Sequence, residues 1–122
     1  MDARYVFAVE FRIPTPSAEL RLDPATFETK LYRAANPPGE DGWLFFRDNL
    51  WRGAVGDEEH MCKIASEKLG VDVESVEYRA FETDDAYLDE LKTEIARDLD
   101  QFNADSVSEV LSKYFKGSLE VR

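Results

Sequence analysis

The sequence predicts a single α+β domain, residues 1–122: a mainly antiparallel sheet of about five strands with three helices packed on one face, in the order β-β-β-α-β-α-α-β. Two observations carry this. Apolar residues alternate at period two near the start of the chain, and later they recur at helical spacing between helix-start residues and glycine stops. With 43% hydrophobic and 12% aromatic residues, 122 residues supply enough apolar material for one core without metal or disulfide staples.

Tyr5, Phe7, Val9, Phe11 and Ile13 alternate with Val6, Ala8, Glu10 and Arg12, the pattern of a strand with one strongly apolar face. Pro14 and Pro16 cannot donate to a ladder, so the strand is expected to stop there. PTPSAELRLDP then reads as a long connection pinned to the core by Leu20 and Leu22. The next segment, Phe27 to Ala34, admits two readings. Asp23-Pro24 resembles a helix start with Phe27, Leu31 and Ala35 at helical spacing, whereas Phe27, Thr29 and Leu31 alternate with Glu28, Lys30 and Tyr32. The Thr, Tyr and Phe content favours the strand. NPPGEDG follows, and its turn chemistry predicts an exposed connection.

GWLFFRDNLWRG, Gly42 to Gly53, has the most unusual composition in the chain, with four aromatic residues and two arginines. Trp43 to Arg47 is expected to be a central strand, apolar on both faces, and Asp48-Asn49 a turn. Leu50-Trp51-Arg52 fits either a short extended return or a single helical turn. Gly53 and Gly56 bracket Ala54-Val55 and lead into a helix from about Asp57 to Leu69. Asp57 is its N-cap, Glu58 and Glu59 lie where the helix dipole favours anions, and Gly70 follows its last turn. Met61, Ile64, Ala65 and Leu69 form its apolar face.

VDVESVEYRAF returns to strand, with Val76, Tyr78 and Ala80 expected on one face and Glu77, Arg79 and Phe81 on the other. A second helix is expected from Thr83 to Phe102-Asn103, with a buried stripe of Leu88, Leu91, Ile95 and Phe102 supported by Tyr87 and Leu99. In a third helix Ser106 and Glu109 have capping-box spacing, and Val107, Val110, Leu111, Tyr114 and Phe115 face the core. Gly117 stops it, and SLEVR is a short final strand.

Charge narrows the function classes. Asp and Glu number 26 against 15 Lys and Arg, a net charge of -11, and arginines outnumber lysines nine to six. Such a surface repels itself in dilute buffer, while in molar salt the Debye length falls to about 3 Å and the repulsion is screened. The second helix shows the same bias: Asp85 with Asp89, Glu90 with Glu94, and Glu94 with Asp98 are like-charge pairs one turn apart. A salt-adapted chain is therefore expected. A surface this negative opposes nucleic acid, no apolar run suffices for a membrane span, and neither a signal-peptide pattern nor a disulfide is expected, Cys62 being the only cysteine. The expected compartment is the cytoplasm.

Few residues offer chemistry. The acids of the second helix are better explained as a solvated face than as a cation site, since no loop adds the carbonyl ligands a hard ion prefers. His60 and Cys62 stand two apart on a helix and point away from each other, which argues against a metal site or a thiol–imidazole pair. No phosphate-binding glycine spacing occurs, and GAVG precedes acids that would repel an anion. Neither a cofactor, a metal nor a catalytic residue is expected. What remains is Arg47, Asn49, Trp51 and Arg52, which could present a stacking surface and forked donors. The competing structural explanation has Trp43, Phe45 and Phe46 in the core, Trp51 capping the sheet edge and the arginines paired with local acids such as Asp48.

PPGEDGWLFFRDNLWRG, Pro37 to Gly53, and FNADSVSEVLSKYF, Phe102 to Phe115, resemble the LWR-salt proteins, a family of small proteins of halophilic archaea named for the triplet that stands here as Leu50-Trp51-Arg52. The resemblance implies a haloarchaeal cytoplasmic protein and supplies no activity or catalytic residue. Ala54 departs from it, standing where an acidic residue is expected in relatives. The expected function is that of a small, non-enzymatic, partner-binding or structural module that meets another protein or its own copy through Trp51 and Arg52. The alternative is a small-ligand or nucleotide-binding domain built around Arg47, Trp51 and Arg52.

Overall fold

A computed structural model of the chain describes residues 1–13 and 26–122. The proline stops, the connection with Leu20 and Leu22 and the Asp23-Pro24 signal lie outside the described residues. Four strands form the main sheet: β1 (Ala3–Arg12), β2 (Thr26–Ala34), β5 (Asp72–Thr83) and β6 (Leu119–Val121), in the order β2-β1-β5-β6. Strands β3 (Leu50–Trp51) and β4 (Ala54–Val55) make a separate two-stranded hairpin. The helices are α1 (Phe45–Asn49), α2 (Glu58–Leu69), α3 (Asp85–Arg97) and α4 (Val107–Phe115), with a 3-10 turn at Leu99–Phe102. The fold is thus α+β, with a mixed sheet.

β1 is the middle of that sheet because its alternation buries Tyr5, Phe7 and Val9 on the core side. It pairs antiparallel with both β2 and β5. The sheet departs from the expected antiparallel form at β6, which runs parallel to β5 with Phe81 opposite Leu119. The physical reason is the connection: the chain leaves β5, crosses through α3 and α4, and re-enters in the same direction, as a helical crossover requires.

β5 also corrects the expected face assignment. Phe81 lies on the core side with Val76 and Tyr78, while Ala80 opposes Val6 on the outer side. Two register shifts against β1, one at Arg79 and one at Glu74, each insert a residue that has no opposite number. Each bulge moves the alternation by one, so Val73, Val76, Tyr78 and Phe81 all reach the core.

Local signals place the helix ends. The Asp57 side chain accepts from the His60 N–H at 3.1 Å, and Gly70 ends α2 in the left-handed region at φ 71°. Met61 and Ala65 are buried, but Leu69, expected on the apolar face, is exposed. α3 starts at Asp85, two residues later than expected, and is capped by Asp84, whose side chain accepts from the Tyr87 N–H at 2.8 Å. That bond, together with one from the Asp2 N–H, holds the Asp84 carboxyl below the usual carboxylate range. α3 stops at Arg97 and the expected last turn becomes the 3-10 segment, with Asn103 at φ 52° closing it. Leu91, Ile95 and Phe102 of the expected stripe are buried, but Leu88 is only half-buried and Tyr87, expected as its support, is buried in its stead. The Ser106 hydroxyl accepts from the Glu109 N–H, while the Glu109 carboxylate reaches back to the Asp105 N–H.

The largest correction concerns Trp43 to Arg47, which forms turns and the short helix α1 instead of a central strand. Gly39 and Gly42, at φ 86° and 85°, reverse the chain just before it. Backbone bonds from Glu40 to Pro37, Trp43 to Glu40 and Phe45 to Gly42 then close successive turns. Coiling lets Trp43, Phe46 and Leu50, at i, i+3 and i+7, point inward together, which a strand would not allow. Phe46 meets Phe102, Tyr114 and Phe115 at ring distances of 5.9, 5.5 and 5.1 Å, so the aromatic run belongs to the helical layer. The preceding NPPGEDG is not simply exposed either. Pro38 is buried, and the Tyr87 hydroxyl donates to the Asn36 carbonyl at 2.7 Å.

Candidate functional site

The four candidate residues stand on α1 and on the hairpin that follows it. Leu50 opposes Val55 and Trp51 opposes Ala54, leaving Arg52-Gly53 as a two-residue loop. Both loop residues have positive φ, 50° and 77°, as a type I′ hairpin turn demands. Glycine accepts this freely, whereas arginine is strained there.

That turn sits on the C-terminus of α4. The Arg52 N–H donates to the Lys113 carbonyl and the Gly53 N–H to the Tyr114 carbonyl, both at 2.8 Å. A helix leaves its last four carbonyls without intrahelical partners beyond its own end. Here Lys116 and Ser118 take those of Ser112 and Phe115, and the hairpin tip takes the two between. The Leu-Trp-Arg-Gly sequence is therefore a clip on the last helix, where Trp51 was expected to cap the sheet edge.

Gly53 is held by sterics as well. A Cβ there would lie 3.2 Å from the Phe115 carbonyl oxygen and 3.3 Å from the Lys116 Cβ. Gly53→Ala is expected to cost about 2 kcal/mol, through positive φ and this contact. Arg52→Gly relieves strain and is expected to stay within about 1 kcal/mol of the native chain. Urea unfolding of the two variants in molar KCl measures both, and a reversed order would show that the turn is not held as described.

The side chains divide into two groups. Arg47 Nε donates to Asp48 Oδ1 at 3.1 Å, the local acid pair expected for it, and its Nη1 donates to Gln101 Oε1 at 3.3 Å. Asn49 Nδ2 bonds back to the Phe45 carbonyl at 3.0 Å, and its own carbonyl accepts from the Gly56 N–H at 2.8 Å. Both residues line a cleft of about 410 Å3 with Arg33 and Trp43. Trp51 and Arg52 face elsewhere. Together with Glu109, Ser112, Lys113 and Lys116 they line a second cleft of about 510 Å3.

In this second cleft Trp51 is 46% exposed, its inner edge resting on Tyr114 at 6.0 Å between ring centres. The Arg52 guanidinium lies 5.5 Å and the Lys113 ammonium 5.6 Å from the indole. Among the described residues Arg52 makes no ion pair, contrary to the local pairing expected of it. Lys113 Nζ donates to the Phe102 carbonyl at 2.8 Å. Burial pushes the Tyr114 phenol up from its ordinary range, against the opposing pull of Arg47. Lys113 and Lys116 line this cleft with Trp51, and the sequence did not single them out. No local signal marked them, because only folding brings the end of α4 to the hairpin.

Elsewhere His60 is exposed and Cys62 half-buried, with burial raising its thiol. No group of three or more metal-ligating side chains occurs among the described residues.

The model of one protein family, LWR-salt protein, matches residues 1–122. The chain belongs to the LWR-salt protein family. No curated protein and no solved structure matches it. For this LWR-salt protein the triplet Leu50-Trp51-Arg52 thus contributes a buried anchor, a half-exposed indole and a strained turn residue. Among the described residues, no helix is long and apolar enough to cross a membrane.

Proposed function

We propose that this LWR-salt protein is a non-enzymatic binding module that takes a carboxylate-bearing segment of a protein partner into the cleft between Trp51 and the end of α4. One observation carries the reading. On a chain of net charge -11, a half-exposed tryptophan is flanked by Arg52, Lys113 and Lys116, with Glu109 the single carboxylate in the same cleft. Tryptophan and arginine are the residue types that most often anchor interfaces. A guanidinium and two ammonium groups suit carboxylates in a form that survives screening, since short charge-assisted hydrogen bonds depend little on long-range fields. The proposal includes work in a salt-rich cytoplasm of a halophilic archaeon, supported by the charge balance and the lone cysteine.

Fluorescence anisotropy of a labelled Glu-rich peptide carrying one Tyr, titrated in molar KCl beside its Gln-for-Glu counterpart, tests this. The Glu peptide is expected to bind at least tenfold more tightly. Trp51→Ala and Lys113→Gln, both confirmed as folded by circular dichroism, should each weaken it about tenfold, roughly 1.4 kcal/mol. Equal binding of the two peptides, or unchanged binding by the variants, rejects the proposal and leaves the hairpin as a structural clip.

A further inference from the structure

β2 is an edge of the main sheet. Among the described residues it pairs with β1 and with no other strand. Its register with β1 runs through nine successive pairs without interruption, while β5 is bulged twice. TFETKLYRA carries charges at Glu28, Lys30 and Arg33 but has no Pro, no Gly and no bulge to break the pairing template. Half of its backbone hydrogen-bonding groups therefore face outward along an intact template.

The side chains of β2 are arranged about Thr29 with a two-fold complementarity. One position out stand Glu28 and Lys30, of opposite charge; two positions out stand Phe27 and Leu31, both apolar. Laying a second β2 antiparallel with Thr29 against Thr29 sets Glu28 opposite Lys30 twice and Phe27 opposite Leu31 twice. Core-side residues then meet core-side residues, continuing each apolar face into the next. A slip of one residue would set the core side against the outer side. Centring on Lys30 or on Glu28 would oppose like charges directly. The complementary register is thus singled out from its neighbours.

Among the described residues these groups find no complete set of partners. Neither Glu28 nor Lys30 has an ion-pair partner among the described residues, although Arg4, Arg12, Arg79 and Arg122 all do. Glu28 instead stands directly opposite Glu10 of β1. Phe27 and Leu31 are only half-buried, with Phe27 resting on Phe11 at 6.0 Å.

From this geometry we propose that the protein dimerises by antiparallel pairing of β2 with β2 of a second copy about Thr29, joining the two four-stranded sheets into one. The second copy's Lys30 supplies a counter-charge to Glu28, and its Leu31 covers Phe27. The Trp51 cleft takes no part in this contact, so the dimer stands or falls independently of partner capture.

Sedimentation in molar KCl and disulfide trapping test the proposal. Facing residues of an antiparallel pair have Cα atoms about 4.5–5.5 Å apart, within disulfide reach. In a Cys62→Ser background, Thr29→Cys is expected to form a covalent dimer on oxidation at least tenfold faster than Tyr32→Cys. The two copies of the latter position would lie about 20 Å apart along the strands. At the lowest salt that keeps the chain folded, Lys30→Glu should weaken the dimer at least tenfold, and adding Glu28→Lys should restore it. A native chain that sediments as a monomer at every concentration, including one whose edge is covered by its own residues 14–25, overturns the proposal. So does equal cross-linking at the two positions.

Discussion

Phe46→Ala is expected to lower the unfolding free energy by about 3–5 kcal/mol, the largest effect of any single truncation considered for this chain. Phe46 is 1% exposed and stands between Trp43, Phe102, Tyr114 and Phe115. Its helix, α1, is five residues long and has no side-chain N-cap bond, so packing has to supply what propensity and capping do not. Removing the ring opens a cavity where α1, the 3-10 turn and α4 converge. Because the next residues form the clip on α4, the loss should spread to the hairpin as well. For a domain of this size the cost corresponds to a fall in melting temperature of roughly 10–25 °C. Urea unfolding in molar KCl measures it directly. Trp51→Ala, which truncates a half-exposed ring, provides the contrast at about 1 kcal/mol or less. A Phe46→Ala cost no larger than that of Trp51→Ala would mean that the aromatic cluster is not the centre of the core.

The second large effect is salt. The melting temperature is expected to rise strongly from dilute buffer to molar KCl, because the chain carries -11 in all and its charges are unevenly compensated. On the sheet, Glu82 is bridged by both Arg4 and Arg122 at 2.7 Å, and Arg12 and Arg79 pair with Glu74 and Glu77. Along α3, Arg97 with Glu94 is the ion pair among the described residues, against Asp85, Asp89, Glu90 and Asp98 without one. The screened repulsion therefore concentrates in the helical layer. Asp89→Asn with Glu90→Gln removes two of the like-charge neighbours one turn apart, Asp85–Asp89 and Glu90–Glu94. The pair should raise the dilute-buffer melting temperature and leave the molar-salt value almost unchanged. A native melting temperature that does not move with KCl would sink the salt-adapted reading.

How far these features were legible depends on the range of the interaction behind them. The capped start of α2 at Asp57, its stop at Gly70 and the Ser106–Glu109 box were readable because each is settled within four residues. The alternation of Tyr5 to Phe11 was readable because the large side chains Tyr5, Phe7 and Val9 all point to the core side, with smaller Val6 and Ala8 on the other. The bulges of β5 were not, since the residues at Arg79 and Glu74 are surplus only relative to a strand some seventy positions away. In the aromatic run two signals conflicted. Strand propensity of Trp and Phe pointed one way, the helical spacing of Trp43, Phe46 and Leu50 the other, and the second was correct. Of the candidate site, Trp51 and Arg52 were legible as residue types, while their placement in one cleft apart from Arg47 was not.

By itself the sequence determined the local geometry of its elements and the sign and excess of its charge, because caps, alternation and glycine turns are decided by near neighbours. The hairpin tip at Arg52-Gly53 was not among these, since the turn was expected at Asp48-Asn49. Tertiary structure alone decided that GWLFFRDN coils instead of extending, that β6 returns parallel, and that Lys113 and Lys116 join Trp51 in one cleft. The reason is distance along the chain. The carbonyls that receive the Arg52 and Gly53 N–H groups belong to residues 113 and 114, and only folding brings those partners together.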